Sequence, residues 1–244
     1  MKYLPAILEM AKQRPGRDAG KDKHLVPHEE YNEFWEAFYK TLRTHFNFSS
    51  PVEDFGKHIN PYFGYFGFRF HPTEREPRYY HLGMDISGKS KTEIKPILDG
   101  VLEYSGFAIV NGNYVFLSHP EVVTEDGFKL YSIYMHLKNT SVKFSSYQKM
   151  LRQISCKHYP NVWVKSDEVI GGMGSSGNSE GSHVHLHLQI EFRDEKGNIV
   201  VIDPAEVLSI RSEKNLSADL KDAEEFEKFC FENKENFKMY NIKI

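Results

Sequence analysis

The clearest pattern of hydrophobic and polar positions in the chain is an alternation near residue 190. In HVHLHLQIEF, residues 183–192, histidines occupy three alternate positions, and Val184, Leu186 and Leu188 lie between and after them. Side chains alternate across a β-strand, so the pattern predicts one apolar face and one face with three imidazoles. Such a face suggests a metal site, although a histidine in a strand is more often a hydrogen-bonded structural residue.

Short apolar runs extend from about residue 60 to residue 210. They are rich in Val, Ile, Tyr and Phe and are broken by glycines, which is typical of antiparallel β-structure. The runs are YFGYFGFRF, GVLEYSGFAIVNGNYVFLSH, KLYSIYMHL, VIGGMGSSG and HVHLHLQIEF. The predicted fold class is therefore mainly β, within α+β, with an antiparallel sheet as the core and helices at its periphery.

Three segments have helical spacing instead. Aromatic side chains recur every three or four positions before the first glycine cluster, which predicts one amphipathic helix that packs through this stripe. Similar spacing predicts an inserted helix at about 144–160 and a charged helix at 212–244. The predicted organisation is an N-terminal helical extension at 1–58, a core at 59–211, and a C-terminal helix packed on that core.

Composition and charge limit the classes of function. The chain has 244 residues, 40% of them hydrophobic, which is enough for one large domain with a substantial core. Its 31 basic and 34 acidic residues give a formal net charge of -3, so no strong field attracts nucleic acid or an anionic membrane. We expect no nucleic-acid partner. The two cysteines, Cys156 and Cys230, form no C-x-x-C motif, which excludes a thiolate zinc cluster.

The first residues, MKYLPAILEMAKQRPGRD, predict neither a membrane span nor a clear signal peptide. Their apolar stretch is interrupted by Pro5, Glu9 and Lys12, and it is too short to cross a bilayer. We therefore expect no transmembrane segment in this chain.

The stretch HLGMD supplies candidate partners for the histidine strand. His81 and Asp85 lie four residues apart with Gly83 between them, as a tight turn running into a strand requires. An imidazole and a carboxylate held in this way can face one point, and zinc accepts both as ligands. One more imidazole, from His185 or a neighbour, would complete three protein ligands and leave a fourth position open for water.

Another candidate is His136 in LYSIYMHLKN, which falls between the two segments that carry the possible ligands. At that position it could handle a proton beside the metal. Two other motifs do not indicate a site. HEEYN has Asn32 where H-E-x-x-H requires a histidine, and GGMGSSGNSEG lacks the Lys-Ser/Thr end of a phosphate-binding loop.

Together these segments resemble the lysostaphin-type zinc metallopeptidases, the bacterial cell-wall endopeptidases of the LytM kind. That family has H-x-G-x-D, then Y-x-H-L, then G-x-x-G-x-S-x-G-x-H-x-H. This chain has HLGMD (81–85), YMHL (134–137) and GSSGNSEGSHVH (174–185) in the same order. Similar flanking stretches, among them FGFRFHP and IDPAEVL, extend the resemblance over about residues 60–210. The resemblance implies an antiparallel metallopeptidase core.

Carried over position by position, the resemblance implies His81, Asp85 and His185 as ligands of one zinc ion per chain. It implies His136 and His183 as the catalytic histidines. His183 lies two residues from His185 on the same strand face, so it is the expected general base. His136 is expected to stabilise the oxyanion or to protonate the leaving amine.

Glycine spacing selects this histidine pair. Counted from the glycines of GSSGNSEG, the H-x-H of the family falls on His183 and His185. The alternative pair, His185 and His187, breaks that spacing and stays open as a second option. His187 is then expected to support a ligand or to face the substrate. Tyr80, or its neighbour Tyr79, is expected to contact the substrate from the segment before the first ligand.

The resemblance implies a zinc metalloendopeptidase that acts on bacterial peptidoglycan. Relatives hydrolyse peptides of the wall, in cross-bridges or in stem peptides, by means of a metal-activated water. An extracytoplasmic location follows, in the wall, in the periplasm or as a secreted protein. The alternative is a non-catalytic cell-wall-binding or amidase-activating module, because some relatives keep the fold and lose the metal. Such relatives lack ligands, whereas all five implied positions are occupied here, which favours the enzyme.

Overall fold

Antiparallel strands make up most of the structure, which is a computed structural model. It describes residues 4–7, 11–13, 24–27, 32–53, 59, 64, 66–69, 79–141, 143–144, 162–179 and 183–210. The described helices are α1 (Asn32–His45) and α2 (Pro204–Val207). The described strands are β1 (Ala11–Gln13), β2 (His24–Pro27), β3 (Gly67–Arg69), β4 (Tyr79–His81), β5 (Met84–Ser87), β6 (Glu93–Ile94), β7 (Gly100–Ala108), β8 (Gly112–Val123), β9 (Lys129–Leu137), β10 (Asn139–Thr140), β11 (Trp163–Val164), β12 (Gly171–Gly172), β13 (His185–Arg193) and β14 (Ile199–Ile202).

Nine of the described strands form one sheet, in the order β1-β2-β14-β13-β9-β8-β7-β11 with β5 paired to β13. The strand β13 pairs with β9 along one edge. Its other edge is shared, because β5 pairs with its N-terminal half and β14 with its C-terminal half. Its pairs with these three strands are all antiparallel. The predicted fold class, a mainly β core with peripheral helices, is confirmed for the described residues.

The alternation along β13 separates an apolar face from a polar face. Leu186, Leu188, Ile190 and Phe192 are fully buried in one hydrophobic core. The alternate residues of the strand, from His185 onward, project from the opposite face. One face of the sheet therefore stabilises the fold, and the other face is available to carry polar chemistry.

The N-terminal segment packs into this same core. The helix α1 coincides with the aromatic stripe that predicts a helix, and the ring of its Phe38 lies 5.7 Å from the ring of Phe192, edge to face. Leu4 and Ile7 are buried in the same cluster. In addition, β2 pairs in parallel with β14 at the edge of the sheet. The described residues before position 58 thus include two short strands that the helical pattern did not predict.

Two of the predicted helices fall outside the described residues. Of the insert predicted at 144–160, Phe144 is described, and it is buried in the core. The rest of that insert and the helix predicted at 212–244 lie beyond the part of the chain that the structure describes. Among the described helices there is none long and apolar enough to cross a membrane.

A buried histidine and serine are linked in the middle of the sheet. The Nδ1–H of His119 donates to the carbonyl of Asp99 at 2.9 Å, and the hydroxyl of Ser132 lies 2.8 Å from its Nε2. A serine beside a histidine can be a nucleophile and its base, but both side chains here are almost completely buried. Burial lowers the pKa of His119 to about 4. The pair is therefore structural, and it holds a neutral imidazole inside the sheet.

This buried imidazole predicts a loss of stability in mild acid. The pKa of His119 is lower in the folded chain than in the unfolded chain, so its contribution is complete above about pH 6.5 and is lost as the pH falls toward 4. Between pH 7.5 and pH 5.0 the free energy of unfolding should fall by roughly 2 kcal/mol more in the wild type than in His119→Asn. The Asn side chain can still donate to Asp99 but does not titrate. Urea unfolding at the two pH values measures this, and equal losses would refute the assignment.

Candidate active site

Three strands bring a histidine–aspartate–histidine group together. Asp85 of β5 is the direct cross-strand partner of His187 of β13. On the other edge of β13, His187 lies opposite Met135 of β9. Direct partners in an antiparallel pair project from the same face, so the carboxylate and the imidazole meet. The strand β4 ends at His81. The short turn into β5 brings the buried side chain of His81 close to Asp85 and His187.

Three ligand atoms of this group form a compact triangle. His187 Nδ1 lies 2.9 Å from Asp85 Oδ1 and 3.0 Å from His81 Nε2. His81 Nε2 lies 3.2 Å from Asp85 Oδ1. An ion held tetrahedrally at about 2.0–2.1 Å has neighbouring ligand atoms about 3.3–3.4 Å apart, so each atom would need to move by only a few tenths of an ångström. The triangle therefore fits three corners of a tetrahedral metal site.

The electrostatics of the triangle favour an ionised carboxylate. Burial alone would raise the pKa of Asp85, but the charges and hydrogen bonds of His81 and His187 hold that pKa well below its usual range. Asp85 is therefore an anion at neutral pH, as a metal-binding carboxylate must be.

Gly83 makes room for one corner of the triangle. A Cβ atom at this position would lie 2.5 Å from His187 Nε2 and 2.5 Å from the backbone carbonyl of Leu188. Such distances are shorter than van der Waals contact, and the backbone carbonyl cannot rotate away. The glycine of HLGMD therefore allows the turn between β4 and β5 to lie directly against β13.

His185 lies next to the triangle but is not one of its corners. Its Nδ1–H donates to the carbonyl of His183 at 3.2 Å, so the neutral form of this ring has its proton on Nδ1 and a lone pair on Nε2. That Nε2 lies 3.9 Å from Asp85 Oδ1. The ring of His185 also lies 4.9 Å from the ring of His136, centroid to centroid. His185 thus lies beside the triangle, with its ring next to that of His136.

The structure groups these residues differently from the assignment made from the sequence. His187 is the third corner of the triangle, whereas His185 was the expected ligand, and His185 lies beside the triangle, where His183 was expected. His183 precedes β13 and is exposed. The sequence assignment followed the glycine spacing, whereas strand pairing decides which side chain lies opposite Asp85.

His136 approaches the group from β9 through a β-bulge. Tyr134 and Leu137 pair with Val115 and Asn113, so two residues of β9 face one residue of β8. His136 itself has a φ of 60°, in the left-handed region. Its Nδ1–H donates to a backbone carbonyl, and burial lowers its pKa to about 4, with a further lowering by nearby positive charge. The ring is therefore neutral at pH 7, and its Nε2 carries a lone pair.

The remaining predicted residues are placed as follows. His187, expected to face the substrate, is instead a corner of the triangle. Tyr80 lies in β4 directly before His81, opposite Phe68 of β3. Its role in binding substrate stays a prediction.

Comparison with known proteins identifies the family. The model of peptidase family M23 matches residues 79–204, which is just over half of the chain and includes every residue of the triangle. The chain therefore belongs to peptidase family M23, and the resemblance to lysostaphin-type peptidases is confirmed.

Two curated relatives match parts of this region. The DD-carboxypeptidase/endopeptidase Mpg of Neisseria meningitidis serogroup B is 30% identical over 125 residues, which cover 51% of this chain and 23% of that protein. The peptidoglycan DD-endopeptidase ShyC of Vibrio cholerae is 25% identical over 153 residues, which cover 63% of this chain and 30% of that protein. The chain thus spans less than a third of the length of either relative.

Solved structures of similar chains include two peptidases. The catalytic domain of lysostaphin from Staphylococcus simulans has a TM-score of 0.41 and 24% identity, covering 60% of this chain and 90% of that one. A zinc-containing peptidase from Vibrio cholerae has a TM-score of 0.45 and 20% identity, covering 64% of this chain and 39% of that one.

The contact at Gly83 predicts that Gly83→Ala weakens metal binding. The added methyl group must displace the ring of His187 or the backbone of β13, and we expect the affinity for a divalent metal to fall at least about tenfold. Competition with a chromophoric chelator measures that affinity. Gly127→Ala is the control, because it strains the backbone at a φ of 86° but brings no atom within 4 Å of the added methyl group. Equal affinities for Gly83→Ala and the wild type would contradict the packing argument.

Proposed function

We propose that this chain is a zinc-dependent endopeptidase that hydrolyses peptide bonds of bacterial peptidoglycan, in a cross-bridge or a stem peptide. The observation that carries the proposal is the triangle of His81, Asp85 and His187 with two further imidazoles beside it. Membership of family M23 supports a peptidase. The names of the curated relatives, a DD-carboxypeptidase/endopeptidase and a peptidoglycan DD-endopeptidase, support peptidoglycan as the substrate.

Zinc is the metal that suits these ligands. Two neutral imidazole nitrogens and one carboxylate oxygen are borderline ligands, and three protein ligands with one open corner are typical of catalytic zinc. When bound, zinc supplies a Lewis acid that lowers the pKa of water and polarises a carbonyl oxygen. In this proposal His81, Asp85 and His187 hold one such ion per chain.

The two remaining imidazoles handle the proton of the reaction. Both His136 and His185 donate through Nδ1–H to a backbone carbonyl, so each presents a lone pair on Nε2 when its ring is neutral. Their rings lie 4.9 Å apart, centroid to centroid, and face the same site. We propose that this pair takes a proton from the attacking water and returns it to the leaving amine, as paired general bases and acids do.

The polar face of the sheet supports an extended substrate. Beyond the triangle this face continues through half-buried aromatic side chains, because Phe116 stacks on Tyr131 with ring centroids 5.2 Å apart. The guanidinium of Arg193 covers the Phe116 ring at 4.7 Å. We propose that a peptide strand of the wall lies along this face. Because peptidoglycan is outside the cytoplasmic membrane, the proposal implies an extracytoplasmic site of action.

The first test separates the three histidines of HVHLH by metal content. His187→Ala should lose bound zinc, because it removes a corner of the triangle, with affinity falling by more than about 100-fold. His185→Ala and His183→Ala should retain one zinc ion per chain. Elemental analysis of the three purified variants after zinc loading measures this. Loss of zinc from His185→Ala with retention in His187→Ala would restore the assignment made from glycine spacing.

The second test concerns the reaction. Purified peptidoglycans, one with glycine cross-bridges and one cross-linked directly through stem peptides, are digested with zinc-loaded protein, and mass spectrometry identifies the new termini. We expect cleavage by the wild type and by His183→Ala, and a loss of about 10²- to 10⁴-fold in His185→Ala, which removes a general base but no ligand. If zinc is bound stoichiometrically and neither wall is cut, the proposed endopeptidase activity is wrong. The alternative, a non-catalytic wall-binding module, is then favoured.

A further inference from the structure

The hydroxyl of Ser176 links three segments around His136. It donates to the carbonyl of Leu137 at 2.7 Å, and it accepts from the backbone N–H of Asn113 at 2.8 Å. The backbone carbonyl of the same serine accepts from His136 Nδ1–H at 2.8 Å. Ser176 thus contacts the imidazole of His136, the backbone of the next residue in β9, and the neighbouring strand β8.

Two glycines allow Ser176 to come this close. A Cβ atom at Gly112 would lie 2.3 Å from the Ser176 carbonyl oxygen and 2.3 Å from its hydroxyl. A Cβ atom at Gly177 would lie 2.2 Å from the backbone nitrogen of Gly112. Both glycines also have positive φ, at 65° and 78°, which other residues rarely adopt. The loop that carries Ser176 is therefore held directly against the start of β8.

The contacts around His136 are needed because the backbone conformation of this residue is unfavourable. Its φ of 60° lies in the left-handed region, which is uncommon for residues other than glycine and persists when surrounding contacts hold it. The N–H of His136 donates to the carbonyl of Asn111 at 2.9 Å, and the side-chain amide of Asn113 donates to the carbonyl of Leu137 at 3.1 Å. These contacts fix the backbone, and the Ser176 carbonyl fixes the ring.

The direction of the hydrogen bond decides which ring nitrogen reaches the site. A carbonyl oxygen can only accept, so the bond to Ser176 requires the proton of neutral His136 to be on Nδ1. Nε2 then faces the site with its lone pair. Without a fixed carbonyl at this distance, the ring would exchange between two tautomers and between two orientations, and only one of these combinations presents a base.

We propose that Ser176 is a positioning residue that locks His136 in the tautomer with the proton on Nδ1, through its hydroxyl contacts with β8 and β9. It acts through His136 and does not touch the substrate. The proposal deepens the proposed function, because the locked lone pair is the one that receives the proton during hydrolysis. Its structural part, the tautomer, holds whether or not the chain cuts peptidoglycan.

Nitrogen-15 NMR tests the tautomer directly. Long-range proton–nitrogen spectra of the full labelled chain at pH 7.5, with and without zinc, distinguish a protonated ring nitrogen from an unprotonated one, and His136→Gln assigns the signals. We expect protonated Nδ1 and unprotonated Nε2 for His136 in the wild type, and a mixture of tautomers in Ser176→Ala. A wild-type His136 with its proton on Nε2 would overturn the proposal, without reference to any variant.

Kinetics separate positioning from a merely structural role. Ser176→Ala should lower kcat about tenfold, as expected for one lost orienting hydrogen bond, while KM and the zinc content stay unchanged. Ser176→Thr keeps the hydroxyl and should restore both kcat and the tautomer. The control is Ser175→Ala, because Ser175 is the exposed neighbour in the same loop. Equal kcat in Ser176→Ala and the wild type, or equal losses in Ser175→Ala and Ser176→Ala, would overturn the proposal. If no variant cleaves either wall, the proposed function fails while the NMR result still decides the tautomer.

Discussion

The site depends on one constraint, the register between β5 and β13. That register places Asp85 opposite His187 and leaves His185 one pleat further along the same face. A shift of one residue would turn the imidazoles into the hydrophobic core, and the fully buried Leu186 and Leu188 oppose such a shift. The apolar face of the strand thus holds its polar face in place. Stability of the fold and geometry of the site are consequences of the same alternation.

Two local irregularities of the sheet bring further histidines to the site. The bulge in β9 turns His136 toward the imidazoles of β13, and the glycine turn before β5 brings His81 to the carboxylate. Each irregularity is supported by contacts that only glycine permits, at Gly83 and around Ser176. Strand pairing fixes the backbone positions of the site residues, and the close backbone contacts orient their side chains. This division explains why polar chemistry can be carried by a β-sheet with a continuous hydrophobic core.

The sequence predicted the antiparallel core, the helix α1 and the segments that meet at the site, because hydrophobic period and turn residues are local signals. It assigned the third ligand to His185, whereas the group that could hold a metal includes His187. His183, His185 and His187 all project from one face, and a shift of two residues leaves the alternation unchanged, so periodicity cannot choose among them. The choice depends on a cross-strand partner about 100 positions away in sequence.

We propose that strand pairing makes His187 a metal ligand together with His81 and Asp85. A crystal structure of the zinc-loaded protein, with anomalous diffraction measured on both sides of the zinc edge, would locate the ion. We expect one anomalous peak about 2.0–2.2 Å from His187 Nδ1, His81 Nε2 and a carboxylate oxygen of Asp85, with His185 outside bonding distance. A peak bonded to His185 with the His187 ring turned away would contradict it.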